Sequence, residues 1–308
     1  MKGKQSSCLL GAVFTILITG PVSGQGMPDE IVGNKIPVPG KPVHGTTNQL
    51  SEVERDMVDH MAPQQQAERL LQYAISHHRG ATDEIKARVG QWRGQIKQTD
   101  SLVTLMDVAM NGDDLRVRAA CFEIDLAVAN LAKNAEAADS LLQLAESDPQ
   151  RAEFVIWYLG RLANRGVEVD RIHSQLRVWA HSEKEPIRLR AVSAIADIGT
   201  DDTVPDLVEA FHHDPAFRVR IDAAGCGLAH CGMLTRAQRM QSVPGLIEMV
   251  EDQKLDVETV KYGYRALREI TDQEVGDEPT LWREWYAAYG AETAERFRQF
   301  QKVMESQP

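Results

Sequence analysis

Beyond residue 20 the chain has no apolar run long enough to cross a bilayer, and no stretch alternates apolar with polar residues over the length of a strand. Aromatic residues are scarce, 6% of 308, so any core must be filled by smaller side chains, which suits closely packed helices better than a sheet. Basic residues number 34 against 45 acidic ones, a formal charge of −11. A surface of that sign repels phosphate backbones and argues against nucleic acid as a partner. Also missing are the zinc-protease helix, the phosphate loop, the nucleophile elbow and the dinucleotide fingerprint. No catalytic residue, cofactor or metal is therefore expected.

What is present begins with a leader. Lys2 and Lys4 open the chain, Leu9 to Gly20 form a short apolar run, and Val22-Ser23-Gly24 offers small residues for cleavage before Gln25. That order predicts a signal peptide over residues 1–24 and a mature protein in the periplasm or outside the cell. Cys8 lies ahead of the apolar run, so there is no lipobox; an uncleaved anchor is the alternative to cleavage. Removal of the leader takes away two lysines and no acid, moving the charge from −11 to −13. Pro28, Pro37, Pro39 and Pro42, interleaved with Gly26, Gly33, Gly40 and Gly45, predict an extended tether over 25–50. Ser51-Glu52-Val53-Glu54 fits a capping box, so folded structure is expected from Ser51, with a helical cap over 51–98 that includes Leu70, Leu71 and Ile85 to Trp92.

One phrase occurs three times: Arg116-Val117-Arg118-Ala119, Arg188-Leu189-Arg190-Ala191 and Arg218-Val219-Arg220-Ile221. Counted from Arg190, the residues Ile187, Ala191, Ala194, Ile195 and Ile198 form the buried stripe of a helix. Moving the frame to Arg220 gives Phe217, Ile221, Ala224, Gly225 and Leu228. On Arg118 it gives Leu115, Ala119, Phe122 and Leu126, with Glu123 breaking one position. Two further units centre on Phe154 and Tyr262, so the spacings are 36, 36, 30 and 42 residues, in the range of helical repeats. Each unit has a preceding helix. Thr203-Val204-Pro205 and Ser242-Val243-Pro244 set a capping hydroxyl before a first-turn proline, and Asp148-Pro149 and Asp214-Pro215 set an acid before one.

A proline-bearing first helix, an Asp turn and Val-Arg at the start of the second helix resemble the HEAT family, in its bacterial form called PBS-lyase HEAT-like repeats, over about residues 99–290. The resemblance implies an all-α, right-handed solenoid of stacked antiparallel helix pairs, with about five repeats over 99–275 and a C-terminal helical cap over 276–308. It also implies a ladder of turn acids and helix arginines: Asp114 with Arg118, Asp214 with Arg220, and Arg190 in the unit between. No arginine stands at Phe154 or Tyr262, so the ladder is expected to break there.

After the leader three cysteines remain, Cys121, Cys226 and Cys231, and an odd number leaves a thiol unpaired or bonded between chains. On an intact α-helix residues 226 and 231 point apart, so they bridge only if the helix ends near His230; otherwise all three are small buried side chains. Cys226 and His230 share a helix face, but a closed zinc site needs four ligands and no second pair stands at a fitting distance. His77-His78 and His212-His213 are adjacent pairs facing different directions near helix ends, where histidine complements the dipole. Trp157 and Trp179 fall in the apolar frame of their helices, whereas Trp282 and Trp285, beside Tyr286, are candidates for an exposed recognition edge.

Stacked helix pairs create an extended concave surface with no deep pocket. The leading expectation is therefore an exported scaffold that binds a protein or peptide on that surface without catalysis. The alternatives are an enzyme or chromophore-handling protein of the PBS-lyase type, and a structural component of the cell envelope held by its tether.

Overall fold

A computed structural model describes residues 49–148 and 150–306; the leader, the tether up to residue 48 and Pro149 lie outside the described residues. Among the described residues the regular elements are all helical, with one isolated extended pairing, Gln49 with Arg79. Helix α1 (Glu52–Asp59) starts at Ser51, whose hydroxyl accepts from the Glu54 N–H at 3.2 Å while the Glu54 carboxylate accepts from the Ser51 N–H at 2.8 Å. Helix pairs follow: α2 (Pro63–Ile75) with α3 (Ala81–Trp92), α4 (Asp100–Asn111) with α5 (Leu115–Val128), α6 (Ala135–Ser147) with α7 (Ala152–Asn164), and α8 (Val169–Ala180) with α9 (Glu185–Ile198). In the next pair α10 (Val204–His213) faces a helix that starts at Phe217 and continues in wide π-helical turns through Val219–Gly225 and Gly227–Cys231. The short α11 (Arg236–Arg239) sits in the longest connection, α12 (Val243–Val250) pairs with α13 (Val257–Thr271), and α14 (Pro279–Ser306) lies against α11 and α12.

The second helices form one continuous layer. α3 packs on α5, α5 on α7, α7 on α9, α9 on the Phe217–Cys231 helix, and that helix on α13, while each first helix packs on its own partner. This is an all-α solenoid. The apolar frame accounts for the layer: Ala191, Ala194, Ile195 and Ile198 of α9, and Ala224 and Leu228 of the next second helix, are buried. A fully buried leucine or isoleucine contributes about 1.5–3 kcal/mol. Phe217 departs from the frame and stands 46% exposed, because it is the first residue of its helix and lies at the rim.

The turns differ from expectation in an informative way. Thr203 and Ser242 do not cap with their hydroxyls. Each is the last residue of a short 3-10 turn and donates backward, Thr203 Oγ1 to the Thr200 carbonyl and Ser242 Oγ to the Arg239 carbonyl, both at 2.7 Å. Asp148 and Asp214 accept from the Gln150 and Ala216 N–H groups inside the turn, and their helices begin later, at Ala152 and Phe217. The near-copies Thr203-Val204-Pro205 and Ser242-Val243-Pro244 thus share a local structure, but a different one from the N-cap the residue types suggest.

Two helices of the layer approach unusually closely. A Cβ placed on Gly160 of α7 would lie 2.7 Å from the Ala194 carbonyl oxygen and 2.8 Å from the Ala194 Cα on α9, backbone atoms that cannot swing aside. Gly160→Ala is therefore expected to wedge α7 from α9 and lower stability by about 1–3 kcal/mol, the range for an overpacked contact. Urea unfolding followed by circular dichroism checks this, and an unchanged midpoint would mean the two helices are not in register as described.

Candidate functional site

Three second helices carry an arginine at their fourth residue: Arg118 in α5, Arg188 in α9 and Arg220 in the Phe217–Cys231 helix. Each donates to the carbonyl six residues earlier, Arg118 Nε to Gly112 O at 2.8 Å, Arg188 Nη1 to Ser182 O at 2.9 Å and Arg220 Nη1 to Asp214 O at 2.7 Å. Two of them also reach forward to the next turn. Arg188 grips the Asp214 carboxylate with Nε and Nη2 at 2.8 and 3.1 Å, while Arg220 donates to Asp256 Oδ2 at 2.6 Å and to Thr259 Oγ1 at 3.1 Å. A ladder exists, then, but its rungs are Arg188–Asp214 and Arg220–Asp256. The Asp214 side chain is not paired with Arg220, which meets only its backbone carbonyl. Asp114 pairs with Arg116 at 3.1 Å, not with Arg118. Arg190 takes no part, and its guanidinium lies 5.9 Å from the Trp157 ring centre. The phrase Arg-x-Arg offers two candidates two residues apart, and the start of the helix decides which one faces the turn.

The polar face of α5 meets α7 in a seam of buried charge. Asp125 pairs with Arg161, and Glu123 takes Arg165 Nε at 3.0 Å and Lys133 Nζ at 2.7 Å. Arg118, Glu123, Asp125 and Arg161 are all under 7% exposed. The Arg161 guanidinium also covers the faces of Trp157 at 3.8 Å and Phe122 at 4.9 Å. Burial pushes Asp197 of α9 up to about 6 against the pull of the nearby Arg161, Arg118 and Arg190 guanidiniums. Arg118 goes further still and donates from Nη1 to the carbonyls of His230, at 2.6 Å, and Gly232, at 3.0 Å. With neighbouring helices about 8–10 Å apart, one arginine can bridge from α5 past α7 and α9 only if the second-helix layer lies inside a tight curve. Arg118 crosses that curve.

Sequence reasoning missed this seam, though a signal was visible: Glu123 broke the apolar frame, and Asp125 and Arg161 are charges within strongly apolar helices.

The remaining candidates are placed as follows. Cys121 is a buried free thiol, as a small core residue should be, and burial raises it to about 12. Cys226 and Cys231 are not simply buried: they are joined as a disulfide with Cα atoms 5.1 Å apart. The helix ends at Cys231, next to His230, as the bridge requires, and its last turns are π-helical, which brings residues five apart onto one face. His230, between them, points Nε2 at Cys226 Sγ, 3.5 Å away, and Nδ1 at Glu269 Oε2, 2.7 Å away. The rings of His212 and His213 stack with centres 3.9 Å apart, so this pair does converge, with His212 also on Asp252. His77 adopts a left-handed backbone just after α2 and lies 4.0 Å from Asp114.

Trp282 is not an exposed recognition residue. It is 0% exposed, its Nε1–H donates to the Gly276 carbonyl at 2.8 Å, and it meets half-buried Trp285 edge-on. The pair anchors α14 to the end of the stack.

Two expectations follow. Arg188→Ala would leave the buried Asp214 carboxylate without its partner and cost about 3–5 kcal/mol, whereas Arg190→Ala should cost far less. Equal losses in thermal unfolding would mean that the two-residue assignment is wrong. On the acid side, hydrogen bonds from Thr259 and Arg220 hold Asp256 at about 2. Burial raises Asp206, but hydrogen bonds from His173 and Arg177 outweigh it and hold it below the usual range. At these two carboxylates the folded chain binds fewer protons than the unfolded one, so their stabilisation is present above about pH 4 and is lost as the pH falls toward 2, whereas Asp197, raised to about 6, acts in the opposite sense at the upper end of that range. Denaturation midpoints between pH 5 and pH 2 should show this slope, and Asp256→Asn should flatten it.

No characterised protein matches the chain, and no solved structure does. Residues 138–226, which run from α6 to Cys226 and so take in α6 with α7, α8 with α9, and α10 with most of its partner, match the HEAT repeat family, so the solenoid carries HEAT repeats through its centre.

Proposed function

We propose that this chain is an exported scaffold, akin to the PBS-lyase HEAT-like proteins, that holds a protein or peptide partner without catalysing a reaction. The observation that carries the proposal is a row of large apolar side chains at the N-terminal ends of successive second helices. Phe154 of α7, Phe217 and Val257 of α13 are 54%, 46% and 66% exposed, and exposed Pro186 takes the same place in α9. A single exposed apolar residue is ordinary. A row repeating with the helical units is a strip that an extended partner segment would cover. The partner is assigned to this rim because Arg118 crosses the inner curve of the second-helix layer.

Export is supported by the leader and by the Cys226–Cys231 bond, since disulfides persist mainly in oxidising compartments. No helix among the described residues is long and apolar enough to cross a membrane. The Pro/Gly-rich segment then serves as the spacer between the leader and the solenoid.

Crosslinking of the full chain in its own cell envelope, followed by affinity capture and mass spectrometry, tests both parts. The expected result is a chain shortened by the leader and one dominant partner, captured by the wild type and lost with Phe154→Ser combined with Phe217→Ser. Equal capture by the double variant would move the contact off the rim. An unshortened chain confined to the cytosol would sink the export reading.

A further inference from the structure

The disulfide Cys226–Cys231 closes a loop within a single helical segment. A bond that staples a fold joins elements far apart in sequence, because its effect grows with the length of chain it closes. This one ties no helix to another. Its geometry depends on local winding: on an α-helix, residues five apart differ by about 140° around the axis, whereas the wider π turn, with its i to i+5 hydrogen bond, brings them onto one face. A Cβ on Gly227 would meet the Ala196 Cβ at 2.6 Å, so a glycine is needed for this wide segment to lie against α9.

The surroundings of the two sulfurs are unequal. Cys231 is exposed and Cys226 is half-buried. His230 Nε2 stands 3.5 Å from the Cys226 sulfur, and His230 Nδ1 is held by Glu269 at 2.7 Å. Glu269 is in turn gripped by Arg265 Nε at 2.7 Å. The guanidiniums of Arg118 and Arg239 lie on the carbonyls of Ala229, His230 and Gly232, holding the backbone on both sides of Cys231. A thiol, a histidine and a carboxylate in sequence form the arrangement that takes or delivers a proton at sulfur. The three possible ligand atoms of Cys226, His230 and Cys231 lie within 4.8 Å of one another, but three is one short of a closed zinc site and the two sulfurs are already bonded together.

We propose that Cys226–Cys231 is a reversible redox couple that exchanges with a dithiol of a partner polypeptide, with His230 serving the Cys226 sulfur and Glu269 positioning His230. A partner thiolate attacks Sγ of exposed Cys231. The S–S bond breaks and its electron pair goes to Cys226 Sγ, which takes a proton from His230 Nε2. The partner's second thiol, having lost its proton to solvent, attacks the partner sulfur of the mixed disulfide and releases Cys231, which is protonated in turn. The partner's two thiols leave as a disulfide, Cys226 and Cys231 become two thiols, and two electrons and two protons have moved.

The test equilibrates the full chain, with the substitution Cys8→Ser, in glutathione buffers of graded redox ratio, traps it with acid, and counts maleimide mass tags above the constant contribution of Cys121. Cys226 and Cys231 should gain their tags together over a defined range of ratios while circular dichroism remains helical. His230→Ala should slow reduction by dithiothreitol about tenfold or more. Glu269→Gln should slow it less, and in both variants the pH profile of Cys226 alkylation should move upward, a shift that a merely structural role would not produce. Two free thiols at every ratio would overturn the proposal, as would a bond that opens only when the chain unfolds. Unchanged rates and pH profiles in the variants would also overturn it. So would one tightly bound zinc per reduced chain that blocks oxidation, which would make the cluster a metal site. If His230→Ala fails to fold, Glu269→Gln, at a partly exposed side chain, decides the matter alone.

Discussion

A carbonyl at the end of a helix has no partner within that helix, and when the next helix packs over it water is excluded as well. In this solenoid Arg118, Arg188 and Arg220 answer that constraint with a guanidinium folded back six residues onto the turn. A fork of five N–H groups has donors to spare. Arg188 and Arg220 send theirs forward to Asp214 and Asp256, so the same side chain that satisfies one turn fixes the position of the next. Apolar stripes tolerate sliding along a neighbour, whereas a two-point contact between planar groups does not. The apolar frame supplies the energy of stacking, and the arginines supply its register.

Helix α5 shows what happens where two parts of the core meet. Buried apolar side chains fall into two clusters, one from Leu50 to Ala127 and one from Leu126 to Trp282, and they meet on α5. The helix is buried nearly all round, so it has no solvent face on which to discard its charges. They are paired instead: Asp125 with Arg161, and Glu123 with Arg165 and Lys133. Removing such ions from water costs about as much as their attraction returns, so the seam adds little net stability but penalises any other arrangement of α5. Arg118, on the same helix, reaches across to His230 and Gly232, so the inner face of the helical repeats is here crossed by the protein's own side chain.

The periodic part of this architecture was legible in the residues. Ala191, Ala194, Ile195 and Ile198 recur at helical spacing because one face of α9 must be buried, and burial follows the spacing. The parts that were not legible share a cause: they depend on where a helix begins or how it is wound, which a residue-by-residue pattern does not encode. Arg188 and Arg190 are chemically identical, and only the start of α9 at Glu185 decides which reaches the turn. Trp282 and Trp285 have the spacing of an exposed pair as much as that of an anchor, and the Gly276 carbonyl that takes the indole N–H lies six residues away in a loop. Glu123 was visible as a charge where the frame demands an apolar residue, whereas Asp125 and Arg161 fall between frame positions and stand out only as charges within apolar helices.

The wide winding of the Phe217–Cys231 helix ties the two polar features of the molecule together. It brings Cys226 and Cys231 to one face and also sets where the carbonyls of His230 and Gly232 fall, and both of those accept from Arg118 Nη1. These carbonyls flank Cys231 on either side. With the sulfurs bonded, the π turn is locked at a geometry that an α-helix cannot satisfy, and Arg118 is held across two units. With the sulfurs apart, nothing covalent opposes tighter winding, which would rotate the His230 carbonyl away from the guanidinium. Arg118 is buried, and a buried arginine that loses its acceptors cannot turn to water for others. The contact between α5 and the end of the Phe217–Cys231 helix is therefore the part of the fold most exposed to the chemistry of Cys231, and the rim residues Phe154 and Phe217 belong to α7, which lies between those two helices, and to the second of them.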